Sequence, residues 1–154
     1  MAAAEQENNQ PMISIDKIYV KDISLEIPHS PQIFLERDNP QIEVQVENRM
    51  DAIEEGLYEV VVMATVTARI GERVMFLIEV HQAGIFQVRN ISAEERQPIF
   101  AVMCPNILFP YLREAVSDIS VRAGFAPAIL NPANFEAIYR QNNGKTSAGS
   151  EKSH

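Results

Sequence analysis

The sequence predicts an α+β domain: an antiparallel sheet with helices on one face. Up to residue 88 the apolar residues recur mainly at every second position, the period of half-buried strands. From residue 92 onward they recur at helical spacing. Ser92 followed by Glu95, a capping-box pair, stands where one pattern gives way to the other.

Each element has its own warrant. Ile13 and Ile15 alternate, the phase slips near Asp16 and Lys17, and Ile23, Leu25 and Ile27 alternate again. A slip inside one apolar run predicts a long first strand with a bulge. Pro28, Pro31 and Pro40 bracket a turn-rich connection that carries Ile33, Phe34 and Leu35. Ile42, Val44 and Val46 alternate with Glu43, Gln45 and Glu47, a half-buried strand. From Leu57 to Ile70 the even positions are almost all apolar; the odd ones begin apolar, with Glu59 the exception, and end in Thr65, Thr67 and Arg69. Gly71-Glu72 turns this strand into the next, Val74 to Val88, to make a long hairpin. Strands of this length exceed the usual five or six residues. A small domain covers so much sheet poorly, so subunits are expected to share it.

The helical half opens at Ser92 and is expected to run to about Met103, kinked or shortened by Pro98. Cys104-Pro105-Asn106 is expected to break it. A second helix follows from Ile107 through Leu108, Leu112, Ala115, Val116 and Ile119, with Gly124 as its C-cap. Asn131-Pro132 reads as the N-cap and first residue of a last helix reaching Gln141. The expected domain is 12–141, between flexible tails at 1–11 and 142–154 that carry little apolar surface.

Composition bounds the function. The 154 residues are 46% hydrophobic and 22% charged, an ordinary globular mix. The longest uncharged apolar run, Val60 to Ala68, is far short of the roughly 20 residues that cross a bilayer. No basic segment precedes an apolar one at the start, and one cysteine, Cys104, allows no internal disulfide, so a cytoplasmic protein is expected. The net charge of −8 comes entirely from residues 1–56, which hold four basic and twelve acidic groups. That field repels phosphate backbones, which argues against nucleic acid as a partner. It suits a basic or metal-bearing partner instead.

A search for catalytic groupings returns little. Cys104 has no neighbouring cation to lower its pKa and reads as a buried structural thiol. His29, His81 and His154 are scattered, and no His or Cys pair has zinc-ligand spacing. The six glycines never cluster, so there is no phosphate-binding loop. The expectation is a protein that works by binding, without catalytic residues, metal or cofactor. Phe34, Ile42, Val44, Val46, Phe109 and Tyr111 form an apolar inventory in strands and Pro-flanked segments; each could equally be core, or together they could line a peptide groove.

Several runs are specific enough to carry a resemblance. Tyr19 to Pro28, Tyr58 to Val61 with Thr65 to Ala68, Gln82 to Phe86, and above all Cys104 to Glu114 (CPNILFPYLRE) resemble the SecB family of bacterial protein-export chaperones. Gly124-Phe125 and Asn131 to Phe135 continue the match in one register over about residues 12–141.

The resemblance implies a four-stranded antiparallel sheet of Greek-key type with helices on it, assembled as a tetramer, a dimer of dimers. It implies an ATP-independent holdase that keeps unfolded precursor proteins competent for export and passes them to SecA, the translocase ATPase. Phe34, Ile42, Val44, Val46, Phe109 and Tyr111 would line the client groove. Asp22, Glu26, Leu77 and Glu79 would form the acidic surface that docks the zinc-bearing C-terminal segment of SecA, any zinc belonging to that partner. Phe76, Ile78, Val80 and Gln82, on the other face of the same strand, would pack toward the helices and the dimer–dimer contact. No membrane insertion is expected. Ile78 and His81 depart from common family residues, and the short, slightly basic tail departs from the acidic or longer ones of some relatives. Other readings are a SecB-like general holdase or toxin–antitoxin chaperone, and, more distantly, a thiol enzyme using Cys104.

Overall fold

The computed structural model describes residues 9–152, with side chains through residue 143. Of the expected flexible tails, residues 1–8 of the first and 153–154 of the second lie outside the described residues. Four strands, β1 (Met12–Glu26), β2 (Gln41–Glu54), β3 (Leu57–Ile70) and β4 (Arg73–Arg89), form one sheet in the order β1-β4-β3-β2, every neighbouring pair antiparallel. Tight turns at Gly56 (φ +77°) and Gly71 (φ +62°) join β2 to β3 and β3 to β4; both glycines occupy the left-handed region that a side chain disfavours. Residues 27–40 carry the chain from β1 across to β2, through a short 3-10 turn at Gln32–Leu35 whose Ile33 is fully buried.

Register explains the slipped phase of the first strand. Pairing of β1 with β4 shifts between Ile15 and Lys17, where the sequence breaks its alternation, and again between Val20 and Asp22. The two shifts keep apolar residues on one face: Ile13, Ile15, Ile18, Ile23 and Leu25 lie opposite Val88, Phe86, Gly84, Val80 and Ile78. That face bears the core. Val60, Val62, Ala64, Val66 and Ala68 of β3 and Phe76, Ile78 and Val80 of β4 are all buried on it.

The helical half departs from expectation first at its centre. Ser92 accepts a hydrogen bond from the backbone N–H of Glu95 at 3.3 Å, closing the N-cap of α1 (Ala93–Pro98). The helix does not break at Cys104-Pro105-Asn106. A π-helical turn, Ile99–Met103, leads directly into α2 (Cys104–Arg122), so one helical path runs from Ala93 to Arg122. The Cys104 N–H bonds the carbonyl of Ile99, five residues back, and the Ala101 carbonyl that Pro105 cannot serve accepts a hydrogen bond from Asn48 Nδ2 at 3.4 Å instead. By length and composition this 30-residue stretch could cross a membrane. Its apolar stripe, Cys104, Leu108, Phe109, Leu112, Ala115 and Val116, is instead buried in the core formed with the sheet.

Gly124 (φ +95°) ends α2 as expected, with its N–H bonded to the carbonyl of Val121 at 3.0 Å. The last helix starts three residues later than Asn131-Pro132 predicts. The Asn134 side chain accepts the N–H of Ala137 at 3.0 Å and caps α3 (Phe135–Lys152). The chain before it stays extended because Ala128 and Leu130 are buried in the core and the Ala128 N–H bonds Ser120 Oγ at 2.8 Å. The helical backbone also continues past Gln141.

Candidate functional site

One helix is about 10–12 Å wide, roughly the width of two strands spaced 4.8 Å apart. Here α2 packs on the two central strands, β3 and β4. Several apolar positions of both edge strands, among them Ile13, Ile15, Val20 and Ile23 of β1 and Ile42 and Val44 of β2, are left exposed. On β2, Ile42, Val44 and Val46 pair with the fully buried Ala68, Val66 and Ala64, which fixes them on the helix-bearing face. Even so, Ile42 and Val44 are 52% and 45% exposed, and only Val46 packs in part against the core. The strand is tied to the helical layer further along, where Asn48 Nδ2 donates to the carbonyl of Ala101 in the π turn at 3.4 Å.

An aromatic stack closes one end of this strip. Phe34 lies on Phe125 with ring centroids 5.1 Å apart, and Phe125 lies on Phe76 at 4.9 Å. Phe76 pairs with Ala68, which pairs with Ile42, so the stack stands at the Ile42 end. A Cβ on Gly124 would come within 3.2 Å of the Phe34 ring, so the residue that caps α2 also makes room for the stack. Phe34 remains 47% exposed.

Phe109 and Tyr111 are not brought together. Both lie inside α2, where two residues' separation is about 200° of rotation. Phe109 is 8% exposed and meets Phe135 edge-on at 5.9 Å; it is a core residue that reaches only the wall of a cleft of about 710 Å³ shared with Arg113, Val121, Ile129 and Pro132. Tyr111 is exposed on the helix surface. Phe76, Ile78, Val80 and Gln82 are likewise in the protomer's own core, buried between β4 and the helix, and Gln82 Nε2 donates to the carbonyl of Tyr19 at 3.1 Å.

The opposite face gathers the acidic set. Glu26 pairs with Leu77, Ser24 with Glu79 and Asp22 with His81, so Asp22, Glu26, Leu77 and Glu79 project together on the side away from the helices. The His81 ring and the Glu79 carboxylate are hydrogen-bonded at 3.0 Å. Further along the same face lies a cluster that sequence reasoning did not find. Tyr19 Oη donates to Glu59, and Lys21 Nζ donates to the same carboxylate at 2.6 Å. Burial pushes the Tyr19 phenol up to about 12, helped by its hydrogen bond to Glu59 and that group's charge. Burial alone would raise Glu59, but the hydrogen bonds from Lys21 and Tyr19 and the charges of Lys21 and Arg49 outweigh it and hold the carboxyl below its usual range. The available signal was Glu59 itself, a lone charge in an apolar run.

With the geometry in view, comparison with known proteins decides the family. Residues 6–146 match the family model described as preprotein translocase subunit SecB. The chain belongs to the SecB family. A protein-export protein SecB from Nitrosomonas eutropha is 58% identical over 138 residues, covering 88% of this chain and 86% of that protein. One from Azoarcus sp. is 58% identical over 136 residues, with 88% and 90% covered. The fold agrees with that of the SecB-like chaperone Rv1957 of Mycobacterium tuberculosis, solved with an antitoxin peptide: TM-score 0.65 at 17% identity, covering 79% of this chain and 91% of that one. As a SecB-family member over most of its length, the chain is a chaperone of protein export.

Proposed function

We propose that this SecB chain is an ATP-independent holdase of the cytoplasm that binds unfolded precursors along β2 and delivers them to SecA through the opposite face. The observation that carries the reading is the uncovered apolar strip Ile42–Val44–Val46, ending at the Phe34 stack, back to back with the acidic face of Asp22, Glu26, Leu77 and Glu79. An unfolded segment laid on the strip removes apolar surface from water at about 25 cal/mol per Å². Ordering the segment opposes this, so a single strip binds weakly and exchanges fast. Four strips in a tetramer act on one client chain and raise its effective concentration, which supplies avidity without new chemistry. A holdase that prefers the unfolded state draws clients away from folding and aggregation by mass action, which requires neither catalytic residues nor cofactor. Strand order β1-β4-β3-β2, with the long 27–40 connection, supports the Greek-key description.

Placing clients and SecA on opposite faces makes the two activities separable. In an aggregation assay on an unfolded precursor with SecA titrated in, Asp22→Ala with Glu79→Ala is expected to weaken SecA binding and leave aggregation prevention intact. Loss of both activities together overturns the two-face arrangement.

A further inference from the structure

We propose that a pocket at the β2–β3 turn is an oxyanion site that takes a carboxylate or phosphate group between Arg89 and Arg96. The pocket has a volume of about 380 Å³ and is walled by Glu55, Gly56, Tyr58, Arg89, Asn90 and Arg96. Arg96 is held by a neutral partner, and Arg89 lies against the turn. Arg96 Nη1 donates to Tyr58 Oη at 2.7 Å, and the Tyr58 ring is itself fixed against Phe100, with centroids 4.6 Å apart. The Arg89 guanidinium lies over Gly56: a Cβ there would stand 2.6 Å from Nη1 and 2.9 Å from Cζ. Gly56 thus serves the turn through its φ of +77° and the pocket through its missing side chain. Arg89 Nε also reaches Gln87 Oε1 at 3.4 Å.

Neither guanidinium forms an ion pair among the described residues. Two guanidiniums without an ion-pair partner lining one pocket, on a chain of net charge −8, are a local positive site in a negative field. Their planar forks match the paired oxygens of a carboxylate or phosphate. The site is distinct from the apolar strip: Tyr58 and Ala68, at its two ends of β3, are separated by roughly 33 Å of strand. Glu55, exposed at the pocket's edge, is the internal competitor for the same cations.

The test is an NMR titration of the full chain that follows arginine Nε–Hε resonances at constant ionic strength. Inorganic phosphate is added in one arm and N-acetylglutamate in the other, with Arg49, paired to Asp51, as the reference. Saturable shifts at Arg89 and Arg96 but not Arg49 are expected, with affinity about tenfold weaker in Arg89→Gln and stronger in Glu55→Gln. Saturation by phosphate alone upholds the site and assigns it to a phosphate-bearing ligand; saturation by both upholds it and admits an acidic side chain of a polypeptide. Unsaturated shifts in both arms, or an affinity unchanged by Arg89→Gln, overturn it.

Discussion

Two side chains outside the apolar strip make sharp predictions because their surroundings set their ionisation. Burial raises the Cys104 thiol to about 12, and the sulfur lies in the core under the π turn. The thiolate that a nucleophile needs is therefore absent at neutral pH. Cys104 is expected to be inert to a disulfide reagent at pH 8 in the folded protein and to react at once in denaturant; Cys104→Ala is expected to keep full holdase activity. Rapid labelling of the native protein would reopen the thiol-enzyme reading. Glu59 behaves in the opposite sense. Its carboxyl is held below its usual 4.5, so the stability it adds is complete above that value and disappears as pH falls through the lowered one. Glu59→Gln is expected to destabilise by about 1–3 kcal/mol at pH 7, the cost of losing a charge-assisted acceptor beneath Tyr19 and Lys21. Thermal melts of the two proteins are expected to converge as the pH drops below 4.5; a constant gap would place the effect elsewhere.

Elements were legible from sequence wherever one period ruled. The β3–β4 hairpin and the first β1 bulge follow from alternation, since a slip of one residue would turn Val60, Val62 and Val66 out of the core. Helix boundaries were less legible because they depend on contacts made far along the chain. Pro105 reads as a stop, yet the preceding π turn accommodates it; Asn131-Pro132 reads as a start, yet burial of Leu130 keeps the chain extended as far as Asn134. The same limit applies to the site. Alternation marks Ile42, Val44 and Val46 as one face, but their exposure depends on where α2 lies. Phe109 carries the same local signal as Tyr111 and turns out to be core. Val44→Ser with Val46→Ser therefore tests β2 as a binding element. With Val44 half-exposed and Val46 partly packed, losing their apolar surface is expected to weaken client binding about tenfold per strip, read by fluorescence anisotropy on an unfolded peptide, with the sheet retained by circular dichroism. Unchanged affinity would leave the strand a mere wall of the core.

At the scale of the molecule, the width of one helix accounts for both edges of the sheet. A four-stranded sheet spans about 15–20 Å across its strands, and a helix over β3 and β4 leaves β2 uncovered on one side and β1 on the other. On β1 the consequence is a second apolar row: Ile13, Ile15, Val20 and Ile23 are exposed although their partners Val88, Phe86, Gln82 and Val80 are buried. A client-binding strip must stay open, whereas an apolar row along a free edge strand invites permanent cover, and the overlong strands of the sequence point the same way. The proposed tetramer would obtain that cover from a second protomer along β1. Because Phe76, Ile78 and Val80 are already enclosed by their own protomer, assembly should be sensitive to the β1 row in a way those core positions cannot mimic without unfolding the domain. Ile15→Asp with Ile23→Asp places two charges on the row without touching the central core. Sedimentation velocity is expected to find smaller species with wild-type secondary structure and holdase activity reduced through lost avidity. A variant that still sediments as the wild-type assembly would show that β1 is not the covered edge.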